Sequence, residues 1–160
     1  MLRNLFIASL LIAPSAAFAQ SLPTAPYLPL EMAEKAAKAA LQACTAKGSA
    51  VTVTIVARDG ATKVMLKADG SGPHTVSSAT GKAFAAASLG RDIGEIADFI
   101  ASKPANEGLR TMDERLVIQA GGLPIKIGEA LVGGIGVGGA PSGAIDAECA
   151  REGLTAIGAK

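Results

Sequence analysis

Along this chain the spacing of apolar residues switches repeatedly between the helical and the extended period. Leu30, Ala33, Ala37, Leu41 and Cys44 recur every three to four residues, which predicts a helix from Leu30 to Lys47 with one buried stripe. Pro29 suits its first turn, Glu31 its positive end, and Gly48 its stop. Ala50 to Ala57 alternates valine with threonine and predicts a half-buried strand. Arg58-Asp59-Gly60 is a hairpin turn, and Ala61 to Ala68 returns as a second strand. Gly70, Gly72 and Pro73 then form a turn ahead of an alanine-rich helix from Val76 to Leu89, with Thr75 or Ser77 as its N-cap.

Asp92 caps a third helix from Ile93 to Ser102, in which Ile93, Ile96, Ala97 and Ile100 face inward and which Pro104 ends. Lys103 to Met112 is an irregular, charged excursion. Three short strands follow, Glu114–Gln119, Leu123–Ile127 and Ala130–Val137, with Gly121-Gly122 and Gly128-Glu129 as the turns between them. A tight loop from Gly138 to Gly143 leads to a last helix, Ala144 to Ile157. The order is helix, two strands, two helices, three strands, helix, an α/β (α+β) arrangement with five strands.

The first residues follow a different logic. Met1-Leu-Arg-Asn is a short basic start, Leu5 to Ala13 is apolar apart from Ser9, and Ala17-Phe-Ala19 has the small-x-small form of a signal-peptidase site. Residues 1–19 therefore read as a signal peptide, 20–29 as an extended Pro-rich link, and 30–160 as a single domain. The apolar run is shorter than the roughly 20 residues a bilayer span needs, so the protein is expected to be released, periplasmic or secreted, with no membrane insertion after signal removal. Of the charged residues only Arg3 goes with the signal, which leaves basic and acidic side chains in balance. A net charge near zero argues against a nucleic-acid partner.

Composition adds three points. The chain has only five aromatic residues and no Trp, so its core is built from Ala, Val, Ile and Leu, with 19 glycines allowing backbones to approach closely. Its two cysteines, Cys44 and Cys149, fall on the first and last predicted helices. In an oxidising compartment they either form a bridge closing a long loop or sit apart as small buried thiols. Ala36, Ala39, Ala40, Ala83 and Ala85 to Ala87 give the helices more apolar surface than one sheet covers, which predicts a closed homo-oligomer.

Candidate chemistry is sparse. The glycine run from Gly133 to Gly139 lies inside a strand, and the chain ends too soon after it for a dinucleotide-binding βαβ unit, so the run reads as close contact with a helix or a neighbouring subunit. There is no Walker motif and no Gly-x-Ser-x-Gly elbow. One histidine and two cysteines cannot build a metal cluster. The single histidine, His74, stands at the start of the second helix, where the helix dipole disfavours imidazolium. It reads either as a surface or capping residue or as a ligand to haem iron, for which one protein ligand suffices because the porphyrin supplies four.

Gly72-Pro-His-Thr75, Gly81-Lys-Ala-Phe84, Gly121-Gly-Leu-Pro-Ile125, Gly133 to Gly139 and Asp146-Ala-Glu-Cys-Ala150 resemble successive blocks of the GlcG/HbpS family, and Val53 to Gly60 resembles its first hairpin. The resemblance implies a profilin-like domain, a five-stranded antiparallel sheet flanked by helices. It also implies self-assembly and, for some exported members, haem binding linked to redox sensing or haem handling. On that basis His74 is the candidate axial ligand and the metal-binding residue, Thr75 accompanies it, and Lys82 is a candidate partner for a haem propionate, its alternative being a helix-surface or inter-subunit salt bridge. The functional expectation is an exported haem-binding oligomer for haem storage, scavenging or redox sensing. The alternative is an accessory small-molecule-binding subunit of a periplasmic oxidoreductase pathway. A sensor or an oxidoreductase is the corresponding protein partner.

Overall fold

A computed structural model describes residues 22–160. The signal-peptide reading of residues 1–19 lies outside the described residues. Helix α1 (Leu30–Ala46) leads into strands β1 (Thr52–Ala57) and β2 (Thr62–Lys67), followed by helices α2 (His74–Leu89) and α3 (Ile93–Ser102). A 3₁₀ helix, Pro104–Arg110, precedes strands β3 (Gly122–Ile127) and β4 (Ala130–Gly138) and helix α4 (Gly143–Ala156). The strands form one antiparallel sheet in the order β2-β1-β4-β3, with α1 and α4 on one face and α2, backed by α3, on the other.

Side-chain alternation decides what each face carries. Val53 and Ile55 of β1 and Ile135 and Val137 of β4 join the α1 and α4 alanines in the larger core cluster. Thr52 and Thr54 point the other way and are just as buried. The strand expected to be half-buried is therefore enclosed on both sides. Its threonines are accommodated by hydroxyl pairs, Thr52 with Thr75 at 2.7 Å and Thr54 with Thr80 at 3.3 Å. Paired hydroxyls avoid the cost of about 1–3 kcal/mol that an unsatisfied buried polar group carries.

The glycine run of β4 is explained by α2. A Cβ at Gly136 would overlap the Ala79 carbonyl oxygen, and one at Gly134 would overlap that of Ala83. At every second residue β4 thus presents bare backbone to α2, and the helix settles against it through Ala79, Ala83 and Ala87. Of the two contacts the run suggested, a helix within the same chain fills the role.

Four expectations need correction. Glu114–Gln119 is not a fifth strand; four strands are found among the described residues. Its alternation is real, since Leu116 and Ile118 are buried, but they pack with Phe84, Ile93, Ile96 and Ile100 over α2 and α3. The segment crosses α2 where Gly81 leaves room for Val117, and the Val117 N–H donates to the Gly81 carbonyl at 3.3 Å. With no strand beside it, it cannot join a ladder. The α1 stripe is Ala33, Ala36, Ala37, Ala40 and Cys44, and Leu30 is exposed because it opens the helix at the surface.

The N-cap of α2 is also displaced. The helix begins at His74 with Pro73 as cap residue and no side-chain cap, because Thr75 is turned inward toward Thr52. Finally, Ala36, Ala40, Ala83 and Ala85 to Ala87 are all buried within one chain, where α1, α2, α3, α4 and the sheet cover one another. They are not a surplus apolar surface.

Cys44 of α1 and Cys149 of α4 are joined by a disulfide, with Cα atoms 5.5 Å apart and both residues fully buried. Beyond it, Lys47 and Glu148 make a second, exposed link between the same helices at 2.9 Å. At one edge of the sheet, Lys126 of β3 exchanges two backbone hydrogen bonds with Lys160, each 3.0 Å. Pro124 lies in the same strand, and the opposite edge strand, β2, carries Lys63 and Lys67. Among the described residues no helix is long and apolar enough to cross a membrane.

Candidate functional site

His74, Ser78 and Lys82 stand four residues apart on α2 and so share one stripe of the helix. That stripe borders a recess of about 270 Å³ whose opposite walls are Gln119, the loop Gly139–Gly143 and Asp146 of α4. His74 lies at its outer end, exposed. The imidazole rests over Gly72: a Cβ there would stand 2.7 Å from Cε1 and 2.9 Å from Nδ1, so any larger residue at 72 would displace the ring. Neither ring nitrogen has a hydrogen-bond partner among the described residues.

Thr75, one residue on, points into the protein. Its hydroxyl donates to the Gly72 carbonyl at 2.6 Å and thereby accepts from Thr52. It anchors the turn that presents His74 and does not reach the recess.

Lys82 is the largest fully buried side chain, at 1% exposure. Its ammonium donates to Asp146 Oδ2 at 2.9 Å and to the Val137 carbonyl at 3.0 Å. The other carboxylate oxygen, Asp146 Oδ1, accepts from the Ala140 N–H at 3.1 Å. One pair thus ties together α2, the end of β4, the loop after it and α4. Burial pushes the Asp146 carboxyl above its ordinary range, while the Lys82 ammonium and the Ala140 N–H pull it down. Gly121, at φ +111°, passes directly over the pair, where a Cβ would meet Asp146 Cβ at 2.7 Å. Lys82 is therefore not a helix-surface residue, and its salt bridge is made within one chain rather than between subunits.

Asp146, Ser78 and Gln119 were not singled out from the sequence. Asp146 was accessible to it: Lys82 shares the inward face of α2 with Thr75, Ala79 and Ala86, and a lysine in that register requires a carboxylate from elsewhere. Ser78 and Gln119 carry no such signal, because only the path of the segment before β3 brings Gln119 to the recess. Among the described residues no group of three or more His, Cys, Asp or Glu is placed to hold a metal ion. His74, with its free ring nitrogens, suits the one-ligand demand of haem iron.

The fold and this site define a class. The family model described as haem degrading protein HbpS-like matches residues 28–155, and the chain belongs to that family. HbpS itself is similar over most of the chain: its crystal structure is 41% identical, covering 88% of this chain and 96% of that one, with a TM-score of 0.80. A double mutant of Streptomyces reticuli HbpS gives 41% identity, coverage of 90% and 96%, and a TM-score of 0.79. Klebsiella pneumoniae protein ORFY is 25% identical, with 89% and 98% covered and a TM-score of 0.80. PduOC, solved as a heme complex, shares the fold at 22% identity and a TM-score of 0.77, with 84% and 98% covered. No curated protein matches the chain.

Proposed function

We propose that this protein binds haem through His74 and acts, exported and oligomeric, in haem storage, scavenging or redox sensing. The observation that carries the reading is the His74 imidazole, held over Gly72 at the exposed end of α2 with both nitrogens free. Membership of a family described by haem degradation supports the same ligand. When bound, haem supplies an iron centre able to change oxidation state. The chain's own part is to present the imidazole at the head of α2: Thr75 and Thr52 hold the turn, and the Lys82–Asp146 pair holds the recess beneath it. The buried Cys44–Cys149 bridge supports export to an oxidising compartment. His74 lies on an open surface with room beside it for another copy of the chain, and we propose a homo-oligomer on that ground.

A second reading, an accessory subunit that binds a small molecule without haem, is favoured by one feature: the recess, at about 270 Å³, is polar and suited to a compact ligand.

A haemin titration followed by absorption spectroscopy tests the first reading. Wild type should show a saturable Soret band, and His74→Ala should lose or shift it while its stability changes by only about 0–1 kcal/mol, since the ring lies on the surface. An unchanged spectrum and affinity in His74→Ala would overturn the assignment.

A further inference from the structure

We infer that the recess beneath His74 is a binding pocket for a carboxylate, received by the Lys82 ammonium, the Ser78 hydroxyl and the first turn of α4. This deepens the functional reading, because both a free carboxylate and a haem propionate have this chemistry. The starting point is an incomplete set of hydrogen bonds. An ammonium has three N–H donors. Lys82 uses two, on Asp146 Oδ2 and the Val137 carbonyl, and its third has no acceptor among the described residues although the side chain is 2% exposed and borders the recess. An unmet donor on a buried charge is costly, and an acceptor entering the recess would meet it.

The neighbouring groups ask for the same kind of ligand. Ser78, one turn before Lys82 on the same stripe, is half-buried with no hydrogen-bond partner for its hydroxyl among the described residues. Gly143 opens α4 on the facing wall, and the Ser142 hydroxyl caps only the Ile145 N–H at 3.3 Å, so the Gly143 N–H at the recess has no partner among the described residues. The one acid in the recess, Asp146, already has both oxygens engaged, with Lys82 and with the Ala140 N–H. The third Lys82 N–H, the Ser78 hydroxyl and the Gln119 amide can all donate into the recess, and an acceptor ligand would use the donor of the buried charge. A volume of about 270 Å³ admits a small carboxylic acid, or one propionate arm of a porphyrin whose ring stays outside beside His74. Because Lys82 and Asp146 neutralise each other, the added charge is met by the α4 N-terminus, and millimolar rather than nanomolar binding is expected of a free monocarboxylate.

The test is a titration of the disulfide-bonded protein with acetate, followed by amide ¹H–¹⁵N shifts and containing no haem. Saturable shifts at Gly143, Ala144 and the Gln119 side chain are expected. They should vanish in Lys82→Met/Asp146→Asn, which removes both charges in near-isosteric form and whose spectrum elsewhere reports that it is folded. The absence of saturable shifts in wild type, or equal shifts in the double variant, would overturn the inference whatever haemin does. A parallel arm identifies the source. If acetate weakens haemin binding, and haemin dimethyl ester binds less tightly than haemin, the occupant is a propionate. If haemin binding ignores acetate, or haemin does not bind, the pocket serves a free carboxylate.

Discussion

Lys82 Nζ and Asp146 Oδ2 meet at 2.9 Å with their side chains 2% and 4% exposed, joining a helix on one face of the sheet to a helix that packs on the other. Because the two charges were removed from water together, their value to the fold shows mainly when one is lost.

Lys82→Met should therefore destabilise by about 3–5 kcal/mol, because it leaves Asp146 buried without its ammonium. Lys82→Met/Asp146→Asn should recover most of that loss. Urea unfolding of the three proteins measures both, and a double variant as unstable as the single would contradict the account.

The same pair gives a pH dependence with a definite sign. The Asp146 carboxyl is raised in the folded protein, burial being the leading cause. A carboxyl raised on folding favours the folded state below the unfolded value, about 3.9, and that contribution is lost as pH rises through the raised value. The stability of wild type relative to Asp146→Asn should thus increase as pH is lowered from about 7 to about 4. The comparison must be a difference, since Asp113 is held down at about 2 by Arg115 and Glu148 is lowered by Lys47. Those carboxylates stabilise above the unfolded range and lose that contribution in acid. A gap that moves against wild type on acidification would reverse the assignment.

Gly136→Ala tests the contact of helix and strand. Its Cβ would overlap the Ala79 carbonyl, which belongs to a helix backbone and cannot turn aside. A loss of about 3 kcal/mol or more is expected, at the upper end of overpacking costs. Gly108→Ala, which meets nothing within 4 Å, is the control and should be nearly neutral. Thermal unfolding of both proteins decides it.

Replacing both cysteines by alanine removes a cross-link between positions 105 residues apart. The chain-entropy account puts the loss at up to about 4–5 kcal/mol. Unfolding of wild type with and without reductant should bracket the same figure, and two free thiols in unreduced, unfolded protein would show that the bond does not form.

Much of this architecture was legible in the chain. Caps and stops placed the helices well: Asp92 accepts from the Gly94 N–H at 2.8 Å at the head of α3, and Gly48, at φ +73°, follows the end of α1. Alternation found β1 and β4 but could not tell what each face meets. Leu116 and Ile118 alternate as a strand would, yet the apolar surface they cover belongs to helices. The candidate site divided in the same way. His74 stood out because it is unique and lies beside Gly72 and Pro73, whereas the partner of Lys82 is 64 residues away and becomes its neighbour only through the stacking of layers.

The reciprocal bonds between Lys126 and Lys160 have a consequence for growth of the sheet. A new strand at β3 would find the Lys126 amide and carbonyl taken and no amide at all on Pro124. At the other margin it would have to come alongside Lys63 and Lys67, whose charges oppose the stacking of like edges. Both margins are thus closed to strand addition, so the sheet cannot be extended into a ribbon without first undoing the bonds of the last residue.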